Sequence, residues 1–226
     1  MIIITGASRG IGKFLLNHYL TEGQDAIGLY NRTLPEDHEG NYYHVDVTND
    51  DDVQRFYDKI SPRLKNIILI NAAGISYNAF AHKADLSRWK EVLDVNVTGL
   101  FNLLSKLLPV MRADNYGRII NFSSVVAQQG VMGTSAYAAS KSALWGLSKA
   151  IAAENGGKNI SINTINPGYF DIGMIGEVPA DLLASIIQRI PAKRLGLPEE
   201  ILATVKYIIE TAYLNGASID LNGGLL

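Results

Sequence analysis

Seven short runs rich in Val and Ile, at 2–4, 26–30, 42–45, 66–71, 118–122, 160–165 and 218–221, recur through this 226-residue chain with longer stretches between them. Short apolar runs of this kind look like strands buried on both faces. The intervening stretches at 12–22, 51–60, 87–111, 137–154 and 199–211 are amphipathic, and the last two carry apolar residues three and four apart, as helices do. Strand alternating with helix implies an α/β fold, a doubly wound parallel sheet with helices on both faces. No repeat, low-complexity tract or linker divides the chain, so residues 1–226 are expected to form a single domain. In such sheets ligands bind outside the carboxyl ends of the strands, and the residues that follow each run are therefore the candidates for function.

Charge and composition narrow the choice of ligand. Twenty Lys and Arg against twenty-two Asp and Glu give a formal charge of -2, with no electrostatic footprint for nucleic acid or an anionic membrane. A small molecule is the expected partner. The absence of Cys removes disulfides, thiolate nucleophiles and Cys-held metals, and the histidines at 18, 38, 44 and 82 have no ligand spacing, so no metal is expected. The start, Met1-Ile-Ile-Ile-Thr-Gly6, reads as neither a signal peptide nor a spanning helix, which makes a cytoplasmic protein the default. Between the runs ending at Tyr30 and starting at Tyr42 there is close to the minimum of about a dozen residues for a parallel crossover. Residues 33–41 supply at most a helical turn there, and Glu36, Asp37 and Glu39 read as solvated surface.

Four segments carry possible chemistry. The first run leads into Thr5-Gly6-Ala7-Ser8-Arg9-Gly10-Ile11-Gly12 and a helix, where glycines let backbone N–H groups approach a pyrophosphate; a plain tight turn would look the same. Tyr137-Ala-Ala-Ser-Lys141 puts phenol and ammonium on one helix face at i and i+4. A nearby ammonium lowers a tyrosine pKa toward the working range of a general acid or base, although an amphipathic helix with two water-reaching tips gives the same pattern. Ser123-Ser124 closes the fifth run, as a hydroxyl pair for a carbonyl or as a turn cap. Asn71-Ala72-Ala73-Gly74 ends the fourth, small enough for a ribose to pack against. Asn96, a poor helix former between Val95 and Val97, needs either a structural hydrogen bond or a water relay.

Taken together, Thr5-Gly6-x-x-x-Gly10-x-Gly12, Asp46-Val47, Asn71-Ala-Ala-Gly74, Asn96, Ser124, Tyr137-x-x-x-Lys141 and Asn166-Pro167-Gly168 resemble, in order and spacing, the short-chain dehydrogenase/reductase family over essentially the whole chain. The resemblance implies a Rossmann-type domain that binds a nicotinamide dinucleotide and moves hydride to or from a carbonyl. By that likeness Tyr137 is the proton donor, Lys141 holds the nicotinamide ribose and keeps the phenol acidic, Ser124 rather than Ser123 polarises the carbonyl, and Asn96 anchors a water linked to Lys141. Gly6, Ser8, Arg9, Gly10, Ile11 and Gly12 would take the pyrophosphate, Asn31, Arg32, Asp46, Val47, Asn71, Ala72, Ala73 and Gly74 the adenosine side, and Pro167, Gly168 and Phe170 the nicotinamide side.

The end of the second run, Leu29-Tyr30-Asn31-Arg32, has no acid to bond a ribose 2′-hydroxyl, and Arg9 and Arg32 suit a 2′-phosphate; NADP(H) is therefore expected, with NAD(H) possible. Where the family has a threonine four residues beyond Gly168, this chain has Ile172. Within the family the chain is most similar to 3-oxoacyl-(acyl-carrier-protein) reductases, through Gly117-Arg-Ile-Ile-Asn-Phe-Ser-Ser124, the run 190–200 and Ile219-Asp-Leu-Asn-Gly-Gly224. The likeness implies reduction of a 3-oxoacyl thioester, possibly on an acyl-carrier protein, with sugar, polyol, polyketide or small-ketone substrates as alternatives and a non-catalytic cofactor-binding regulator as a further one. Lys158 matches one basic carrier-docking position and Asn115 stands at the other. Residues 171–192, with Ile172, Met174, Ile175, Leu182 and Leu183, would form a substrate lid, and a homo-oligomer, dimer or tetramer, would assemble through 87–111 and 137–154.

Overall fold

All seven apolar runs become strands of one parallel sheet in the order β3-β2-β1-β4-β5-β6-β7. In this computed structural model residues 1–33, 35 and 40–225 are described, so Glu36, Asp37 and Glu39 lie outside the described residues, as do the side chains of Met174 and Glu177. The strands are β1 (Ile2–Thr5), β2 (Ala26–Tyr30), β3 (Tyr42–His44), β4 (Ile68–Asn71), β5 (Gly117–Phe122), β6 (Ile160–Pro167) and β7 (Ser218–Leu221). Helices α1 (Gly10–Thr21) and α8 (Pro198–Glu210) cover one face. Helices α2 (Asp50–Ile60), α4 (Gly99–Asp114) and α6 (Ser135–Asn155) cover the other. The remaining helices are α3 (Leu86–Leu93), the single turn α5 (Val126–Gln129) and α7 (Ala180–Arg189).

Successive strand residues serve opposite layers, as the pleat requires. Ile3, Leu69, Ile119 and Ile162 join the core under α4 and α6, whereas Ile2, Ile4, Ile70, Ile120 and Ile165 join the core under α1 and α8. With both faces apolar, the sheet leaves only its ends for polar chemistry. Register then places Thr5, Asn71, Asn121 and Thr164 side by side near the carboxyl ends of four strands. All four are buried and bridged: Thr5 Oγ1 donates to Asn71 Oδ1 at 2.8 Å, and Ser148 Oγ joins Asn121 Nδ2 and Thr164 Oγ1, each at 3.0 Å, while Asn121 Oδ1 has no partner among the described residues.

Two of the differences from the sequence reading have a clear local cause. The strand expected from 66 starts at Ile68, because Asn66 takes a left-handed φ of 48° that no strand accommodates. The helix expected over 87–111 is interrupted by a π-helical turn, Asp94–Thr98, which joins α3 to α4. Asn96 sits in that turn.

Candidate active site

β5 delivers Ser123 and Ser124 to the carboxyl end of the sheet, and α6 passes above with Tyr137 and Lys141 one turn apart. The two serines divide their tasks. Ser123 Oγ donates to the Lys141 carbonyl at 2.9 Å and is committed to packing, whereas Ser124 Oγ accepts from Val126 N at 3.2 Å and bonds the Tyr137 phenol. Lys141 is 4% exposed, with its Nζ 2.8 Å from the Phe122 carbonyl and 5.7 Å from the centre of the Tyr137 ring. Burial drives its pKa from 10.5 down to about 8. The phenol does not follow the expectation of a lowered pKa. Burial raises it, and the Ser124 bond offsets this only in part, because the lysine donates to a carbonyl rather than to the phenol oxygen. Tyr137 is thus protonated at neutral pH, as a donor to a carbonyl oxygen must be.

Asn96 has its amide fully engaged. Its Oδ1 accepts from Ile75 N at 2.9 Å, and its Nδ2 donates to Ile75 O at 3.0 Å and Ser140 Oγ at 2.9 Å. Of the two readings left open by the sequence, the side chain serves as a strut between the 74–75 loop and α6. Gly74 lies against this strut and the lysine: a Cβ there would meet Lys141 Nζ at 3.2 Å and Asn96 Oδ1 at 3.4 Å.

Beside these groups opens a cavity of about 580 Å³, lined among others by Gly6, Ser8, Arg9, Asn31, Arg32, Asp46, Val47, Ala73 and Gly74. Gly10, Ile11, Gly12, Asn71, Ala72, Pro167, Gly168 and Phe170 are not part of its lining. Asn71 is instead buried as the Thr5 partner, and Thr5 Oγ1 accepts from Ala73 N at 2.9 Å, which fixes the 72–74 loop over the glycine turn. Gly12 packs helix to turn, since a Cβ there would stand 2.4 Å from the Gly6 carbonyl oxygen. Gly6 combines φ +64° with a Cβ position 2.8 Å from Ala73 Cα. No side chain caps α1, so its first amides face the turn as they do at anion-binding helix starts. The Phe170 ring packs on Gly196, and the Phe170 carbonyl accepts from Ile172 N at 2.7 Å, which leaves Ile172 against the second core in place of a threonine.

Electrostatics at the far end of the cavity involve a residue the sequence reading missed. Arg32 Nη2 stands 2.5 Å from Glu91 Oε1 of α3, with the arginine side chain 74% exposed. Nothing in the local sequence of either residue announces a pair 59 positions apart. Asp46 is held below the usual carboxylate range: burial works against this, but the Thr48 hydroxyl and amide, the Asn31 side chain and the Arg32 charge together outweigh it. The residues directly after β2, Asn31-Arg32-Thr33, include no acid, and Arg9 and Arg32 share this end of the cavity wall with Asp46 and Glu91.

The model of the short chain dehydrogenase family matches residues 1–182. The chain belongs to the short-chain dehydrogenase/reductase family. Members of this family are oxidoreductases that use NAD(P). The acetoacetyl-CoA reductase of Shinella zoogloeoides is 34% identical over 232 aligned positions, covering 98% of this chain and 96% of the relative. The 3-oxoacyl-(acyl-carrier-protein) reductase of Thermotoga maritima is 32% identical, covering 99% and 96%. Among solved structures, the aldohexose dehydrogenase of Thermoplasma acidophilum superposes with a TM-score of 0.90 at 28% identity over 99% of this chain and 92% of its own. The dehydrogenase fold is therefore common to relatives that act on a thioester and on a sugar.

Proposed function

We propose that this dehydrogenase is an NADPH-dependent ketoreductase acting on 3-oxoacyl thioesters. The observation that carries the reading is the trio at the carboxyl end of β5, in which Ser124 holds a protonated Tyr137 and Lys141 lies buried beneath it. When bound, the nicotinamide supplies hydride to the carbonyl carbon. Ser124 Oγ donates to the carbonyl oxygen and orients it toward Tyr137. The Tyr137 phenol gives its proton to that oxygen, so that no free alkoxide forms. Lys141, whose pKa of about 8 keeps it mostly charged at neutral pH, steadies the phenolate left behind. Asn96 keeps the 74–75 loop seated over Lys141 through its three bonds.

Arg9 and Arg32 at the cavity rim favour the 2′-phosphate of NADPH, with Arg32 released from Glu91 on binding. Gly10, Ile11 and Gly12 would present backbone to the pyrophosphate, and Pro167, Gly168 and the Phe170 backbone would meet the nicotinamide. The acyl thioester follows from the curated relatives, two of which are named for acetoacetyl-CoA and 3-oxoacyl-carrier substrates. Residues 171–192, which include the turn Gly173–Glu177 and α7, serve as the substrate lid. The half-exposed Phe101 on α4 suits association of copies through α4 and α6. A sugar substrate is favoured instead by the likeness to the aldohexose dehydrogenase.

The test is NADPH oxidation with acetoacetyl thioester against keto-sugars. Turnover of the thioester at least about tenfold more efficient than of any sugar supports the reading. In Tyr137→Phe, turnover falls by about 10³-fold or more while NADPH still binds. A Tyr137→Phe protein with unchanged turnover overturns the mechanism, and a sugar preference overturns the substrate.

A further inference from the structure

Ser124, delivered by β5, is followed directly by α5, a turn of four residues with none buried. So short a helix has little stability of its own, and its position depends on what ties it down. Its backbone is held where Val125 N donates to the Pro167 carbonyl at 3.0 Å. Besides the Ser124 hydroxyl on Val126 N, its side-chain ties among the described residues are a long 3.5 Å bond from Ser142 Oγ to the Ala127 carbonyl and one from the far edge of the sheet. Gln128 Nε2 donates to Asp220 Oδ1 at 2.7 Å. The same oxygen accepts from Asn166 Nδ2 at 2.6 Å. Asn166 Oδ1 in turn accepts from Trp145 Nε1 at 2.9 Å, and its Nδ2 also reaches Ser218 Oγ at 2.8 Å.

These partners belong to the pieces of chain that build the active site. Trp145 lies one helical turn beyond Lys141 and two beyond Tyr137 on α6. Asn166 immediately precedes Pro167, and Gln128 sits on the turn that begins at Ser124. One carboxylate oxygen on β7 therefore links α5, α6 and the end of β6. Both bonds are charge-assisted; the one to Asn166 is half-buried, and the one to Gln128 joins two exposed side chains, where solvent screens it.

We propose that Asp220 is a positioning residue for the reduction: by holding Gln128 and Asn166 together, it sets the Ser124 hydroxyl against the Tyr137 phenol. Losing the carboxylate lets the α5 turn drift while the sheet and the cofactor cleft stay as they are. This rests on the roles given above to Ser124 and Tyr137, and the test keeps the two apart by reading the phenol as well as the reaction.

The experiment compares Asp220→Ala, Asp220→Asn, Gln128→Leu and the double variant Asp220→Ala/Gln128→Leu. Each is measured for kcat and KM on a ketone that the wild type reduces, for NADPH affinity, and, without cofactor, for Tyr137 ionisation by NMR of ring-labelled tyrosine. In Asp220→Ala, kcat falls about tenfold, as small misplacements near reacting atoms do, with NADPH affinity within about twofold. The Tyr137 titration moves upward as the Ser124 bond weakens. Asp220→Asn keeps an oxygen that accepts both amides and recovers most of kcat. Gln128→Leu lowers kcat similarly, and the double variant is no worse than the worse single, because both break one link. A merely structural role would lower the melting temperature with kcat and the titration unchanged. That result, a loss that Asp220→Asn does not repair, or losses that multiply in the double variant would each overturn the proposal. A wild type inactive on every ketone, with the titration still moved by Asp220→Ala and restored by Asp220→Asn, would sink the assigned reaction while upholding the positioning.

Discussion

Arg32 lines the cavity and Lys141 lies behind its Gly74 wall, and the two cations are held in opposite ways. Lys141 is enclosed, its ammonium fixed on the Phe122 carbonyl at 2.8 Å, and its surroundings are packed by Asn96, Gly74 and Ser140. Arg32 is three-quarters exposed and is paired with Glu91, a partner that is itself 40% exposed. At the chemical end, position is enforced by burial and saturated hydrogen bonds, which costs solvation but leaves no alternative arrangement. At the adenosine end, selectivity is left to surface charges, which are weak, screened by salt and easily exchanged. A family that keeps one reaction while varying cofactor and substrate is served by such a division.

The strongest test of this contrast is Lys141→Met. Turnover should fall by about 10²- to 10⁴-fold, as for loss of a group supporting proton transfer. The cofactor-free protein should nevertheless become more stable at neutral pH, because a buried ammonium has been removed. The pH dependence carries the sign. Lys141 in the folded state titrates near 8, below its ordinary 10.5, so between these values the unfolded chain holds more protons and stability rises with pH. At 1.36 kcal/mol per pH unit the gain is about 3 kcal/mol at most. Above about 10 the raised Tyr137 works in reverse, and below about 8 the Met1 amine, lowered by burial, adds a slope of the same sign, so urea denaturation from pH 8 to 10 is the clean window. A wild-type slope that persists in Lys141→Met would show that the lysine is not its source.

Next in size is Asn96→Ala, which leaves an amide, a carbonyl and the Ser140 hydroxyl short of partners in the interior. Loss of about 2–4 kcal/mol is expected in denaturant titrations, with activity falling in parallel as the 74–75 loop loosens. The smallest effects belong to the exposed end. Arg32→Ala should raise the KM for NADPH about tenfold and leave that for NADH within about twofold, whereas Glu91→Gln, which frees the arginine, should lower the NADPH KM severalfold. Both differences should shrink toward nothing at about 1 M salt. An Arg32→Ala enzyme with an unchanged NADPH KM would place the 2′-phosphate elsewhere.

The sequence revealed the sheet because its inner strands are covered on both faces, which runs such as Ile2–Thr5 and Ala26–Tyr30 report directly; β1, β2 and the more exposed edge strand β7 all fall within a residue of the expected limits. It also pointed to Ser124, Tyr137 and Lys141, since a strand end and an i, i+4 helical pair are local patterns. What it could not convey were contacts made by tertiary packing. Glu91 meets Arg32 across 59 positions and Asp220 meets Gln128 across 92, with no periodicity to connect them. The direction of the Tyr137 shift was misread for a related reason. Spacing places the lysine near the phenol but says nothing of how deeply both are buried or which carbonyl takes the ammonium.

The π-helical turn at 94–98 has a consequence for insertions and deletions. A turn closed by i→i+5 bonds contains one residue more than an α-turn, so it lodges an extra residue without rotating the helices on either side. Val92 before it and Leu100, Leu103 and Leu107 after it are all buried, each on the inward face of its helix. Removing one residue from 94–98 would let the segment close as ordinary α-helix with that face still inward. Helices seldom tolerate a deletion in mid-length; this one is expected to keep its core and to lose the Asn96 strut beneath the lysine.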